Sequence, residues 1–305
     1  MTARQWKIGE QIVDLAEHGM IMGVLNVTPD SFSDGGEFFD VDAAVAHGVK
    51  MAEQGAGIID VGGESTRPGA KPVSTDEELR RVIPVIENLS QSFQRSRDDP
   101  HLNPLPEGEA DASARGEGAV LISIDTSKAE VAEAALKAGA SIVNDVTGGR
   151  GDPEMLPLIA KSKAAFVIVH MQGTPQTMQI EPRYNDVVAE VADFFLQQYG
   201  RVLECGIDPM GVAFDPGIGF GKTLAHNLEL LRNLERLRVY NHPLIVGVSR
   251  KAFLGKLAGS AEISDRIAPT VALTALLRMR GADVLRVHDV KENVAALRVA
   301  EAFRP

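Results

Sequence analysis

Carboxylates, amides and cations recur in this chain directly after short apolar runs, and their types suit a flat heterocycle and an anion. Asn26 sits in the run 20–27, Asp60 in 57–61, Asp125 follows 120–124, and Asn144 and Asp145 close 141–144. His170 ends the run 164–170, Asp215 follows 211–214, Ser249, Arg250 and Lys251 follow 243–248, and Arg286 and His288 end the last, 282–287. A carboxylate accepts two parallel bonds from an amidine-like edge, and an amide both donates and accepts. Asp125, Asn144 and Asp215 therefore suit a heterocycle rich in N–H donors. Asn26, Arg67, Arg286 and His288 supply donors for an anion such as pyrophosphate. Taken singly, an Asp after a strand is more often a helix cap than a catalyst, and Asp145 and Asp152 are read that way. Asp60, inside its apolar run, reads as a hydrogen-bonded core group, and His170 as a strand-end cap.

Three loops are rich in glycine and polar groups: 28–36, 62–69 and 215–223. All follow apolar runs, which suggests movable lids. The third contains Gly-x-Gly-Phe-Gly-Lys-Thr but lacks the four-residue spacer of a nucleotide phosphate loop, so that reading is rejected.

The apolar runs are short and rich in Ile, Val and Leu, as expected of strands buried on both faces of a parallel sheet. A helical pattern follows each. Ser74 or Thr75, ahead of Glu77 and Glu78, offers a cap, and Leu79, Val82, Ile83, Ile86 and Leu89 share one helical face. Asp152 and Pro153 mark another start, and 184–205 and 264–280 read as long helices. Eight strand–helix alternations in 305 residues fit an α/β fold of the closed (β/α)8 TIM barrel type in a single domain, with an open doubly wound sheet as the alternative. Barrel enzymes gather their chemistry at the C-terminal ends of the strands, where these polar residues fall. Residues 96–118 break the rhythm. They are polar and rich in Pro and Gly, and are expected to be a mobile insertion between a helix and the next strand, at the bottom of a barrel.

Apolar residues make up 44% of the chain, enough for a large core, and the formal charge of −11 argues against a nucleic-acid surface. The lone Cys205 excludes an intrachain disulfide and a Cys-rich metal site. The longest purely apolar stretch, 164–169, is too short to cross a membrane, and residues 1–17 show no basic start followed by an apolar run. The expectation is a cytoplasmic protein with neither membrane nor nucleic-acid partner.

The same segments resemble the dihydropteroate synthase family over nearly the whole chain. They are MGVLNVTPDSFSDGG at 22–36, IDVGGESTRPGA at 59–70, SIDTSKAEVAEAALKAGASIVNDVTGG at 123–149, HMQGTP at 170–175, DPGIGFGKT at 215–223, GVSRKAFLG at 247–255 and LRVHDV at 285–290. The resemblance implies a (β/α)8 barrel, usually a homodimer. It implies that dihydropterin pyrophosphate and 4-aminobenzoate are condensed, with sulfonamides competing for the second site. Asp125, Asn144, Asp215 and Lys251 would bind the pterin, with Arg286 stacked over it and reaching the pyrophosphate. Asn26, Arg67 and His288 would complete the anion site, with Mg2+ near Asn26. Phe32, Thr66, Pro68, Phe220 and Ser249 would surround 4-aminobenzoate. Asp125, Asp215, Lys251, Arg67 and His288 would carry catalysis, while Met171 and Gln172 could line the pterin pocket or merely pack. A pterin-binding methyltransferase domain acting on a corrinoid would share the barrel and the pterin-facing Asp and Asn. It would not need Arg67, His288 or Ser249-Arg250-Lys251. A non-catalytic pterin-binding protein would be marked by a degraded anion site, and none is seen.

Overall fold

The computed structural model describes residues 4–28, 40–66, 69–98 and 120–304, with the side chains of 96–98 excepted. Eight strands form the central sheet: β3 (Met20–Asn26), β4 (Ile58–Gly62), β5 (Leu121–Asp125), β6 (Ile142–Asp145), β7 (Ala165–Val169), β8 (Val212–Asp215), β9 (Ile245–Gly247) and β10 (Val284–Val287). Their order is β8-β7-β6-β5-β4-β3-β10-β9, and every pair is parallel. Phe214 of β8 forms a parallel bridge to Leu244 beside β9, its N–H donating to the Pro243 carbonyl at 2.9 Å. That bridge joins the two ends of the sheet and decides between the alternatives: the sheet closes into a (β/α)8 barrel.

The helices between strands are α1 (Val41–Glu53), α2 (Thr75–Asp98), α3 (Ala129–Ala138), α4 (Met155–Ser162), α5 (Val187–Glu204), α6 (Leu224–Arg232), α7 (Ala252–Ala258) and α8 (Ile267–Met279), and α9 (Val290–Ala302) follows β10. Ser74 Oγ accepts the Glu77 N–H at 3.3 Å and starts α2. Asp152 spends its carboxylate on the N–H groups of Ala129, at the head of α3, and Glu154, while α4 itself begins at Met155. Helix α2 runs to Asp98, so 96–98 of the polar segment are its last turn and not insertion. Residues 99–119 lie outside the described residues.

Period-two alternation divides each strand between two apolar clusters. Ile21, Leu25, Ile59, Val61, Ile122, Ile124, Val143, Phe166, Ile168 and Leu285 pack with the helices. Met22, Ile58, Leu121, Ile142, Ala165, Val167, Ala213, Ile245 and Val284 fill the barrel interior. Counting in twos from that inner set places Asn26, Asp60, Asp125, Asn144, Asp215 and Arg286 on the inner face, toward the C-terminal ends.

The floor of the barrel comes from a hairpin that had no sequence signal, β1 (Gln5–Ile8) with β2 (Gln11–Asp14). Trp6, Ile8 and Leu15 are buried in the inner cluster, and Trp6 Nε1 donates to the Gly211 carbonyl at 3.1 Å. Around this floor the fully buried Asp283 accepts from Arg4 at 2.9 Å, Arg238 at 2.8 Å and the Leu244 N–H at 2.8 Å.

Candidate active site

Arg286 is the hub of the barrel mouth. Its Nε donates to Asp60 Oδ2 at 2.6 Å and its Nη2 to Asp125 Oδ2 at 2.6 Å. Asn144 Nδ2 donates to the same Asp60 oxygen at 3.2 Å. Four strands, β4, β5, β6 and β10, thus contribute to one connected set. Register explains the meeting: Asp125 pairs with Asn144 across β5 and β6, and with Gly62 across β4 and β5. A side chain at Gly62 would put its Cβ 3.4 Å from that of Asp125. Gly247 likewise leaves space, since a Cβ there would lie 3.7 Å from both Arg286 Cβ and Lys251 Nζ.

The electrostatics follow from burial. Burial opposes the Arg286 charge, but Asp60 and Asp125 outweigh it and hold the guanidinium more firmly protonated than usual. Burial pushes the Asp125 carboxyl up to about 7, against the pull of Arg286 and with the help of Asp60. Asp215 is also pushed up by burial, opposed by Lys251, the Gly217 N–H, Arg286 and Lys222. Lys251 is pushed down to about 8 by burial, against the pull of Asp215. The mouth therefore holds groups whose protonation changes near neutrality.

Lys251 Nζ donates to the Ile218 carbonyl and lies 4.9 Å from the centre of the Phe220 ring. Asp215 Oδ1 accepts the Gly217 N–H at 2.7 Å. Between the ends of β9 and β10, the Ser249 hydroxyl accepts the His288 N–H at 3.1 Å and pairs with its Nδ1 at 3.0 Å. The next residues along, Arg250 and Asp289, form a two-bonded ion pair, Nε to Oδ2 at 2.9 Å and Nη2 to Oδ1, which ties the ends of β9 and β10 together. Asn26 ends β3 half-buried beside Gly62. Thr66 is half-buried in the second loop. The base of that loop is held by Lys128, which donates to both Glu64 and Glu78, and by Arg81, which donates to the Gly63 carbonyl at 2.9 Å. Phe32, Arg67 and Pro68 lie outside the described residues.

The expected site residues Asn26, Asp125, Asn144, Asp215, Phe220, Ser249, Lys251, Arg286 and His288 are thus all strand-end or loop neighbours at one mouth. Sequence reasoning left Asp60 as a core group; it is a fully buried hydrogen-bonded group, but one that fixes Arg286 and Asn144. Its place two residues after inward-facing Ile58 was the available signal. His170 is no simple strand cap: its Nδ1 meets the buried Lys222 ammonium at 2.9 Å. The third loop is not a free lid either. Lys222, Asn227 and Tyr184 all bond its backbone, and Gln179 Nε2 donates to the Gly219 carbonyl at 2.6 Å. Gln172 exchanges two hydrogen bonds with the Arg183 backbone, and Met171 is buried in the inner cluster, so both stabilise the loop after β7. Asp145 accepts the N–H groups of Thr147 and Gly149 and so holds a turn, not the helix cap expected of it.

The family model described as "Pterin binding enzyme" matches residues 22–96 and 111–288, leaving unmatched a stretch inside the polar segment. The dihydropteroate synthase of Escherichia coli K12 is 45% identical over 285 residues, covering 93% of this chain and 92% of its own. A Xanthomonas albilineans dihydropteroate synthase solved with 4-aminobenzoic acid superposes with a TM-score of 0.84 at 42% identity, over 100% of both chains. A Yersinia pestis dihydropteroate synthase in a sulfonamide drug complex does so at 0.84 and 40%, over 98% of both chains. Identity at this level along both full lengths, on the same closed barrel, shows that the chain belongs to the pterin binding enzyme family, among its dihydropteroate synthases.

Proposed function

We propose that this transferase condenses 6-hydroxymethyl-7,8-dihydropterin pyrophosphate with 4-aminobenzoate, giving 7,8-dihydropteroate and pyrophosphate, and that sulfonamides compete for the aminobenzoate site. The observation that carries the reading is the Arg286 guanidinium held between Asp60 and Asp125, with Asn144 bonded to the same carboxylate. That set offers acceptors for a pterin's amidine edge and a cation close by. The Xanthomonas relative with 4-aminobenzoic acid and the Yersinia relative with a sulfonamide support the choice of second substrate and inhibitor. The whole chain is read as one pterin-binding barrel domain.

In this reading Asp125, Asn144, Asp215 and Lys251 hold the pterin, with Arg286 stacked over it. Asn26, Arg67, Arg286 and His288 take the pyrophosphate. Phe32, Thr66, Pro68, Phe220 and Ser249 surround 4-aminobenzoate. The Ser249 hydroxyl, bonded to His288, links the last two sets. Asn26 offers one amide oxygen. Among the described residues no group of three or more His, Cys, Asp or Glu gathers to hold a metal. The Asn26 amide oxygen is a hard donor of the kind Mg2+ accepts, and it would serve as one ligand to a Mg2+ bound with the pyrophosphate. When bound, the ion neutralises charge on the leaving group.

The C–O bond to pyrophosphate breaks with its electron pair leaving on oxygen. The arylamine nitrogen then forms the C–N bond and sheds a proton. No protein nucleophile is needed; the residues position and stabilise charge. Ionised Asp125 and Asp215 favour a cation on the dihydropterin methylene, so pyrophosphate leaves before the amine attacks. Crystals soaked with the pterin substrate should trap that cation beside free pyrophosphate, and a rate of pyrophosphate loss that tracks amine nucleophilicity would exclude it. The composition supports a cytoplasmic location, and the family resemblance a homodimer. The exposed Leu257, Ile263, Leu276 and Met279, on and between α7 and α8, support the dimer. The deciding assay follows pyrophosphate release with and without 4-aminobenzoate, with dihydropteroate identified by mass. No dihydropteroate would reject the activity.

A further inference from the structure

Behind the substrate side of the loop after β8 lies a buried amine that the reaction above does not use. Lys222 is 3% exposed. Its Nζ stands 3.0 Å from the Gly217 carbonyl, 2.9 Å from the Phe220 carbonyl and 2.9 Å from Nδ1 of His170, with the His170 carbonyl at 3.4 Å. An ammonium has three protons to donate, and these are three short acceptors when His170 carries its proton on Nε2. Burial holds His170 far below its ordinary pKa, so the imidazole is neutral and free to accept.

The loop is wound tightly against this point. Gly217 and Gly221 both adopt φ +63°, and a Cβ on them would lie 1.8 Å from the His170 carbonyl and 2.6 Å from that of Gln172. The residues so fixed are those that face the substrates. Ile218, next to Gly217, offers its carbonyl to Lys251, and the Phe220 ring lies beneath the same ammonium. Gly217 also orients Asp215 through its N–H.

We propose that Lys222 is a positioning residue of this active site: pinned between His170 and the carbonyls of Gly217 and Phe220, it fixes the loop after β8 so that Asp215, Phe220 and Lys251 meet the substrates in one arrangement. The inference rests on the dihydropteroate synthase reading. Burial pushes the Lys222 amine down to about 7 against the pull of Asp215. Below that pH it places a positive charge behind Asp215, while Lys251 and Arg286 face that carboxylate from the loop after β9 and from β10. Around Lys222 itself the titratable neighbours are Asp215, Lys251 and His170, with Arg150 beyond the histidine.

The test compares wild type, Lys222→Met, His170→Leu and His170→Gln for dihydropteroate formation across pH, with thermal melting of each. A wild type that makes no dihydropteroate overturns the activity and the inference with it. With an active wild type, Lys222→Met should lose about 100-fold in kcat/KM, the cost of a displacement near 1 Å. Loss of the cation behind Asp215 should also move the acid limb of kcat/KM for the pterin substrate upward by about one pH unit. A purely structural role would lower the profile without moving that limb, and an unmoved limb overturns the proposal. His170→Leu should share the loss in kcat/KM but not the limb shift, since Lys222 remains, whereas His170→Gln, which keeps an acceptor, should stay within about tenfold of wild type. If Lys222→Met does not fold, the histidine pair decides, and equal losses in both histidine variants overturn the pin.

Discussion

Asp60 and Arg286 stand 226 positions apart in sequence, yet their side chains meet at 2.6 Å inside the barrel. The carboxylate is wholly buried, and Arg286 in turn reaches Asp125. Removing Asp60 leaves a partly buried guanidinium with one fewer counter-charge, which costs up to about 3–5 kcal/mol when such a pair is fully buried. Asp60→Ala should therefore lower urea stability by up to that amount and reduce kcat/KM through a misoriented Arg286. Wild-type kinetics in a folded Asp60→Ala protein would show that Arg286 needs no such hold.

Lys251 should be required in its charged form. Its pKa is pushed down to about 8, so the ammonium is lost as pH rises through that value. The basic limb of kcat/KM should fall near pH 8, and Lys251→Arg should move it upward. Lys251→Ala should lose about 2 kcal/mol or more of transition-state stabilisation, as removal of a charged hydrogen bond does. Single-turnover kinetics check both, and near-wild-type turnover in Lys251→Ala would dismiss the role.

Asp125 carries a pH dependence of stability with a defined sign. Its carboxyl moves from 3.8 to about 7 on folding, so between those values the folded chain binds more protons than the unfolded. Its contribution is therefore complete below 3.8 and lost as pH rises through 7. His170, lowered from 6.5, works in the opposite sense below 6.5. The informative quantity is the difference between proteins: Asp125→Asn should gain stability relative to wild type as pH goes from 5 to 7.5 in urea titrations. A constant difference would mean the carboxyl is not perturbed.

Residues 99–117 are mostly polar in sequence, and β5, which follows them, begins at Leu121, at the opposite end of that strand from Asp125. Replacing them by a short Gly/Ser linker should leave melting temperature and kcat/KM close to wild type. A folded variant without activity would tie the segment to the site or to a partner.

Much of the barrel was legible because a strand buried on both faces must be apolar along its length, so a polar residue inside such a run marks a place where chemistry offsets burial. Asn26, Asp125, Asn144, Asp215 and Arg286 stood out for that reason. Asp60 was read as a hydrogen-bonded core group, which it is, but its partner was not legible because it is remote in sequence; only register brings β4 and β10 to either side of β3. Lys222 was hidden by its surroundings, since a lysine in a glycine-rich loop looks solvent-facing until the loop's carbonyls are seen to turn inward around it. The β1–β2 hairpin gave no signal because its pattern is too short, and its burial depends on a barrel floor that exists only after closure.

That floor sets a schedule for synthesis. Arg4 bonds Asp283 across 279 positions, and Trp6 shares the inner cluster with residues from β3 through β10. A ribosome adding about 5–20 residues per second needs roughly 15–60 s to cover that interval. The β1–β2 segment is thus made well before the residues that bury it. Throughout the wait Trp6, Ile8 and Leu15 lack the barrel floor that buries them in the folded chain.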